Sequence, residues 1–244
     1  YEIVQGDWSS DVCSSDLSVS NRVLLATNST SLSKSAIREI QRRAITNVTV
    51  IGTKEVIATQ VAKTLRSLGV KVKRIDSNLS AEISLSLWKS WDSDAFESAV
   101  LTSLTQDSPT ILQALAFANA NQVPLIPVSK TGTKTAKEIL TILGVESGTA
   151  VANSVDISDA QLLKFNGFSR IHNSDSRQLA ISLLSALEEQ PNTLFVRDEK
   201  SAVSVLDMVT TANKMAVWPV GKSISEFEQA FISTRPFIQK IVAT

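Results

Sequence analysis

Two hydrophobic rhythms alternate along this 244-residue chain. Short apolar runs edged by Ser, Asn, Thr and Gly predict strands, and apolar positions returning every three or four residues predict amphipathic helices. The clearest instance is Arg22–Gly52. Arg22–Thr27 reads as a buried strand and Asn28–Ser31 as a turn. Ser33 is placed to cap a helix, with Leu32 and Ile37 at the two positions of a hydrophobic staple. Ala36, Ile37, Ile40 and Ala44 form the helix stripe, and Val48–Ile51 is the next strand. Ile57, Val61, Leu65 and Leu68 then predict a helix over Lys54–Leu68, closed by Gly69. Val70–Ile75 reads as a strand and Ser80–Ser90 as a helix.

The same alternation continues to the end of the chain. Strands are predicted at Ala99–Leu104, Pro124–Ser129, Thr149–Ala152, Phe168–Ile171, Thr193–Val196, Met215–Val220 and Phe237–Ala243. Helices are predicted from Ser108 to about Asn121, over Thr135–Leu143, Asp159–Leu163, Arg177–Glu188 and Ala202–Ala212, and from Ser225 to before Pro236. Thr135–Glu138 and Ser225–Glu228 have capping-box spacing. Strands alternating with helices predict parallel sheets covered by helices.

The pattern repeats. Val23–Thr27 superposes on Leu125–Ser129 and on Val217–Gly221, and Val48–Gly52 on Thr149–Asn153 and roughly on Gln239–Ala243. Arg74-Ile75 superposes on Arg170-Ile171, 96 residues later, and the period lies between about 90 and 100 residues. A period of that size makes the repeat, not any single motif, the unit of the fold.

Composition narrows the chemistry. Lys+Arg and Asp+Glu both total 24, so no global charge points to nucleic acid, and no such partner is expected. The charge is uneven, however. Ser18–Ile75 holds eleven basic and two acidic residues, leaving the remainder of the chain equally acidic. That asymmetry concerns partners rather than fold. Lys34, Arg38, Arg42 and Arg43 lie along one predicted helix, with Arg38 and Arg42 one turn apart. Lys71 and Lys73 share one side of a strand, beside Arg74. Two readings stay open for this basic set: a solvated face balanced elsewhere, or a site for an anionic polymer. Trp88 and Trp91 have two readings as well, core packing or sugar stacking.

Catalytic chemistry has little to build on. His172 is the single histidine and Cys13 the single cysteine. A Ser-His-Asp arrangement, a His-rich metal site and a disulfide framework are therefore not expected, nor is a cofactor. Neither GxxxxGK[ST] nor GxGxxG occurs, and Gly52-Thr53-Lys54 offers one glycine only, in what reads as a strand-to-helix turn. No apolar run reaches the ~18 residues of a membrane span. Residues 7–17, around Asp11–Leu17, resemble one translated frame of a sequencing-library adapter. Residues 1–17 are accordingly set outside the fold, and the natural chain is expected to start upstream.

The repeat resembles the type 2 cell-wall-binding repeats of Gram-positive surface proteins. Val23–Thr27 followed by Leu32-Ser33 is close to that family's P-I-L-L-T strand and the L-S after it. Val50-Ile51-Gly52 matches its V-Y-I-I-G strand, and Arg170-Ile171 with Asp175 and Ala180 matches its R-I…D…A frame. The family's R-Y-x-T core is absent, with Ser80-Ala81 and Ser176-Arg177 in its place, and its D-A-L helix start is absent too. The resemblance implies an α/β fold of tandem Rossmann-like units, each a small parallel sheet with flanking helices, packed on one another. The units would be a partial first repeat at 18–76, a second at 77–171 and a C-terminally truncated third at 172–244. It also implies a secreted, non-catalytic module at the cell surface, holding an effector domain to a teichoic-acid-like or other anionic wall polysaccharide. Lys34, Arg38, Arg42, Arg43, Lys71, Lys73, Arg74 and Arg170 are then the candidate contacts. The alternative is a doubly wound α/β enzyme or nucleotide-binding protein, which would carry a deep polar pocket at the C-terminal strand ends.

Overall fold

The computed structural model describes residues 2–5, 24–77, 79–90, 95–106, 108–187, 193–198, 215–220, 226–235, 238 and 240–243. The adapter-like residues, Trp91, the 202–212 helix and Ser225 lie outside them. The chain is mixed α/β, with small parallel sheets and flanking helices.

The first sheet contains β1 (Glu2–Gln5), β2 (Leu24–Thr27), β3 (Asn47–Ile51) and β4 (Lys71–Ile75), in the order β2-β1-β3-β4. The second contains β5 (Ala99–Thr102), β6 (Leu125–Pro127), β7 (Gly148–Val151) and β8 (Phe168–Ile171), in the order β6-β5-β7-β8. The third contains β9 (Thr193–Asp198), β10 (Met215–Val220) and β11 (Lys240–Ala243), in the order β10-β9-β11. Each sheet thus places its first strand between its second and third. Strands superposed in the sequence occupy equivalent places: β2, β6 and β10 at one edge, and β3, β7 and β11 on the other side of the first strand.

One strand corrects the sequence reading. Residues 1–17 were expected outside the fold, yet Glu2–Gln5 pairs in parallel with both β2 and β3. Four residues beside an adapter-like segment carry too little periodicity to announce a strand. Neighbours on both sides satisfy its backbone groups and make it the interior strand.

The helices are α1 (Lys34–Arg42), α2 (Thr59–Ser67), α3 (Ser80–Trp88), α4 (Ser108–Ala120), α5 (Lys134–Leu143), α6 (Asp159–Leu162), α7 (Ser176–Ser185) and α8 (Glu226–Ser233). At α1 the Ala36 N–H donates to the Ser33 Oγ at 3.1 Å, and Leu32 and Ile37 join the same apolar cluster. The predicted cap and staple both form. Gly69 follows α2 with φ +81°, and the paired bonds Gly69 N to Arg66 O and Val70 N to Leu65 O close a Schellman motif.

Two helix starts differ from expectation. Helix α2 begins at Thr59, not Lys54: residues 54–57 form a turn, and the Ile57 carbonyl is taken by the Arg74 side chain. Helix α5 begins at Lys134 behind Thr133, whose side chain makes no capping bond, so the box expected at Thr135 does not form. A capping box does form between Ser158 and Gln161, at the start of α6.

The two-residue period of the strands sorts the core into layers. In the first sheet Val48 and Val50 pack beneath α1 and α2 against Ile40, Val61 and Leu65. Ile51 and Ile75 face the other way, into one core with Ile83, Leu87 and Trp88 of α3 and with Leu101, Ile126 and Ile139. Helix α3, which follows the first sheet in sequence, therefore packs on α5 and β6 of the second. The opposite face of the second sheet puts Val100, Leu125 and Val151 under α4 and α7, joined by Phe231 of α8. Helices α4 and α7 in turn meet β10 of the third sheet.

Candidate functional site

The basic residues of the first sheet and its helices divide into exposed and occupied groups. Lys34 and Arg38 are exposed on α1, and Lys71 and Lys73 are exposed on β4, an edge strand. The alternation predicted for β4 holds. Lys71 and Lys73 point to solvent on one side, while Val72 and Arg74 are half-buried on the other.

Arg42 and Arg43 are exposed but engaged by Glu39. Arg42 donates from Nε to Glu39 Oε2 at 2.8 Å and from Nη2 to Oε1 at 2.7 Å, and Arg43 Nε also donates to Oε1. The hydrogen bond from Arg42, followed by that from Arg43, holds the Glu39 carboxyl down at about 2, against an ordinary value of 4.5. A depressed carboxyl contributes stability that is complete above its unfolded value and is lost as pH falls towards about 2. Glu39 therefore stays ionised through the physiological range and offsets part of the helix's positive charge. The sequence held the signal for this in the i, i+3 and i, i+4 spacings.

Arg74 and Arg170 have a different situation from the other six candidates. Arg74 Nη1 donates to the carbonyls of Gly52 at 2.6 Å and Thr53 at 3.1 Å, and Nη2 donates to Ile57 O at 2.9 Å. Arg170 repeats the arrangement, with Nη1 to Ala152 O and Nη2 to Ile157 O, both at 2.6 Å. Arg170 also meets Asp159 Oδ1 at 3.0 Å. Each guanidinium ties the loop after the third strand of its sheet to the fourth strand. Charge-assisted bonds to the carbonyls of these loops explain the arginine of both R-I pairs. They also explain why residues 54–57 turn rather than extend α2. Arg74→Met and Arg170→Met are each expected to cost about 1–3 kcal/mol, the cost of leaving such carbonyls unsatisfied. Chemical denaturation of each variant checks this, and the matching Lys variants are expected to recover only part of the loss because an ammonium cannot fork.

Trp88 resolves to core packing. It is 1% exposed and meets Phe96 edge to face, with ring centroids 5.9 Å apart. His172 is an exposed loop residue after β8. Among the described residues, no cluster of three His, Cys, Asp or Glu could hold a metal ion. No helix among them is long and apolar enough to cross a membrane.

The C-terminal ends of β5 and β7 are where a doubly wound enzyme would bind its ligand. Here the protein's own side chains fill the position. Buried Gln106 places Nε2 at 3.1 Å from Thr102 Oγ1, Ser103 O and Val151 O, and its Oε1 accepts from Asn153 N. Thr105 Oγ1 donates to Asp156 Oδ1 at 2.7 Å beside it. Each of these polar groups is answered from within the protein, and the network spans the two strand ends as a plug.

Fold and surface together define an α/β protein of small parallel sheets, basic on the exterior of the first and internally plugged in the second. No family model matches the chain. It is 25% identical over 198 residues to the N-acetylmuramoyl-L-alanine amidase LytC of Bacillus subtilis (strain 168), a match covering 80% of this chain and 39% of LytC. Among solved structures it is similar to Cwp6 from Clostridium difficile, with a TM-score of 0.77, 18% identity and coverage of 99% of this chain and 40% of that one. Cwp8 from the same organism gives a TM-score of 0.79 at 15% identity, covering 100% of this chain and 44% of that one. The chain spans about two fifths of the length of each of these proteins.

Proposed function

We propose that this chain is a non-catalytic module of the bacterial cell surface that holds a secreted protein to an anionic wall polymer. The observation that carries the reading is the likeness to LytC, whose name places it on N-acetylmuramoyl-L-alanine: four fifths of this chain corresponds to two fifths of that protein. The sheets are read as three tandem Rossmann-like repeats, at 18–76, 77–171 and 172–244, with Glu2–Gln5 adding a strand to the first. The equivalent strand orders and the paired Arg74 and Arg170 clamps support that division. Lys34, Arg38, Lys71 and Lys73 are the proposed primary contacts, because their charges project into solvent. Arg42 and Arg43 contribute against the opposing charge of Glu39. Arg74 and Arg170 hold loops in this reading and act on polymer only through them.

Exposed charges each contribute weakly, and salt screens them, so polymer binding must be collective and salt-dependent. Glu39→Gln raises the charge of α1 by one and is expected to keep the chain on isolated walls at higher salt than wild type. Arg38→Glu combined with Lys71→Glu is expected to release it at lower salt. Co-sedimentation across a salt series measures both, and identical profiles for all three proteins would remove the basic face from the account.

The name of LytC also favours a second reading, in which this chain acts as a hydrolase. Incubation with purified peptidoglycan separates the two. The module reading expects no release of soluble fragments, and release by this chain alone would establish the hydrolase.

A further inference from the structure

The amino-terminal ends of β5 and β7 open into a cleft of about 490 Å3. Its chemistry is the opposite of the basic face. Glu97 is the one formally charged residue among those lining it, and neither Lys nor Arg contributes. Glu97 is exposed and makes no ion pair with any described residue.

Three helices end around this cleft. Asn121 and Gln122, just past α4, line it, as does Ala186, just past α7. Leu143, the last residue of α5, accepts through its carbonyl the N–H of the lining residue Phe96 at 3.2 Å. None of the three helices has a basic residue in its last turn. None of the last turns supplies its own countercharge, and the negative end of a helix dipole favours a cation.

The polar side chains point the same way. Asn121 Nδ2 donates to Phe117 O at 2.9 Å and Gln122 Nε2 to Asn119 O at 2.8 Å. Each amide thus spends one N–H on a carbonyl of α4 and keeps its side-chain oxygen as an acceptor. Ser98, Ser147 and Thr149 are the other polar residues of the lining. An ammonium group carries three donors and no acceptor, which suits a lining whose one charge is a carboxylate and whose amides keep free oxygens.

We propose that this cleft is a second binding site, complementary to a primary ammonium of a wall component, such as an amino sugar lacking its acetyl group or an aminoacyl ester. Anionic polymer on the first sheet and an amine in the second would give the chain two contacts of opposite sign on one wall. The site shares no residue with the basic face, and its test uses no wall, so it stands or falls separately from polymer binding.

The test titrates the isotope-labelled full chain by NMR with glucosamine, N-acetylglucosamine and alanine methyl ester. Saturable shifts at Glu97, Asn121, Gln122 and Thr149 are expected with glucosamine, the ester or both, and none with N-acetylglucosamine. Which amine responds identifies the source of the ammonium. Glu97→Gln, a change at an exposed position, is expected to weaken binding about fivefold, as for one partly screened charge pair. An equal response to N-acetylglucosamine, no response to either amine, or undiminished binding by Glu97→Gln would overturn the site.

Discussion

Gly148→Ala is expected to destabilise the protein by about 3 kcal/mol or more, at the upper end of what overpacking costs. Gly148 opens β7 and stands opposite Ala99 on β5 and Phe168 on β8. A methyl group there would lie 2.0 Å from Ala99 O, 2.9 Å from Ala99 N and 2.7 Å from Phe168 Cε1. The ring can turn aside, but the Ala99 backbone belongs to the interior strand and has no rotamer in which to escape. The strand pair must separate at its origin. In a chain of this size the loss corresponds to a fall in melting temperature of roughly 6–12 °C. Gly132→Ala is the control, because nothing lies within 4 Å of its added methyl. Thermal unfolding of both variants decides the matter, and equal melting temperatures would show that the close approach of β5 and β7 is mistaken.

Trp88→Ala is expected to cost about 3–5 kcal/mol, as for other large-to-small changes of buried aromatics. Its consequence extends beyond the size of the loss. Trp88 ends α3 within the core that joins Ile51 and Ile75 of the first sheet to Ile126 and Ile139 of the second. In stacked architectures stability is a sum of unit and interface contributions, so a cavity at an interface weakens coupling as well as cohesion. Calorimetry of Trp88→Ala is expected to show a broadened or divided transition where wild type shows a sharper one. Leu79→Ala, at a 56% exposed position just before α3, is expected to stay within about 0.5 kcal/mol of wild type. A single unbroadened transition in Trp88→Ala, displaced no further than in Leu79→Ala, would contradict the role given to α3.

Much of the local structure was legible because it is governed by neighbours in sequence. Ser33 caps, Leu32 and Ile37 staple, and Gly69 stops α2, all within a few residues of the elements they control. Lys71 and Lys73 could be placed on a solvent side by alternation alone. What stayed hidden depends on partners far along the chain. Arg74 and Arg170 look like members of a basic patch until the carbonyls of Gly52 and Ala152, 22 and 18 residues earlier, are found on their guanidinium groups. Those same contacts shorten the helix expected from Lys54. Trp88 beside Trp91 has the look of a sugar-stacking pair, and only the packing of α3 on the second sheet makes Trp88 core. The place of Glu2–Gln5 was equally inaccessible, since sheet order is set by long-range pairing.

Attachment to an anionic wall polymer is tested most directly by co-sedimentation of the full chain with intact Gram-positive cell walls and with the same walls after extraction of their anionic polymers. The chain is expected to pellet with intact walls, to be released by rising salt, and to stay in solution with the extracted walls. Equal retention on extracted walls would contradict that attachment.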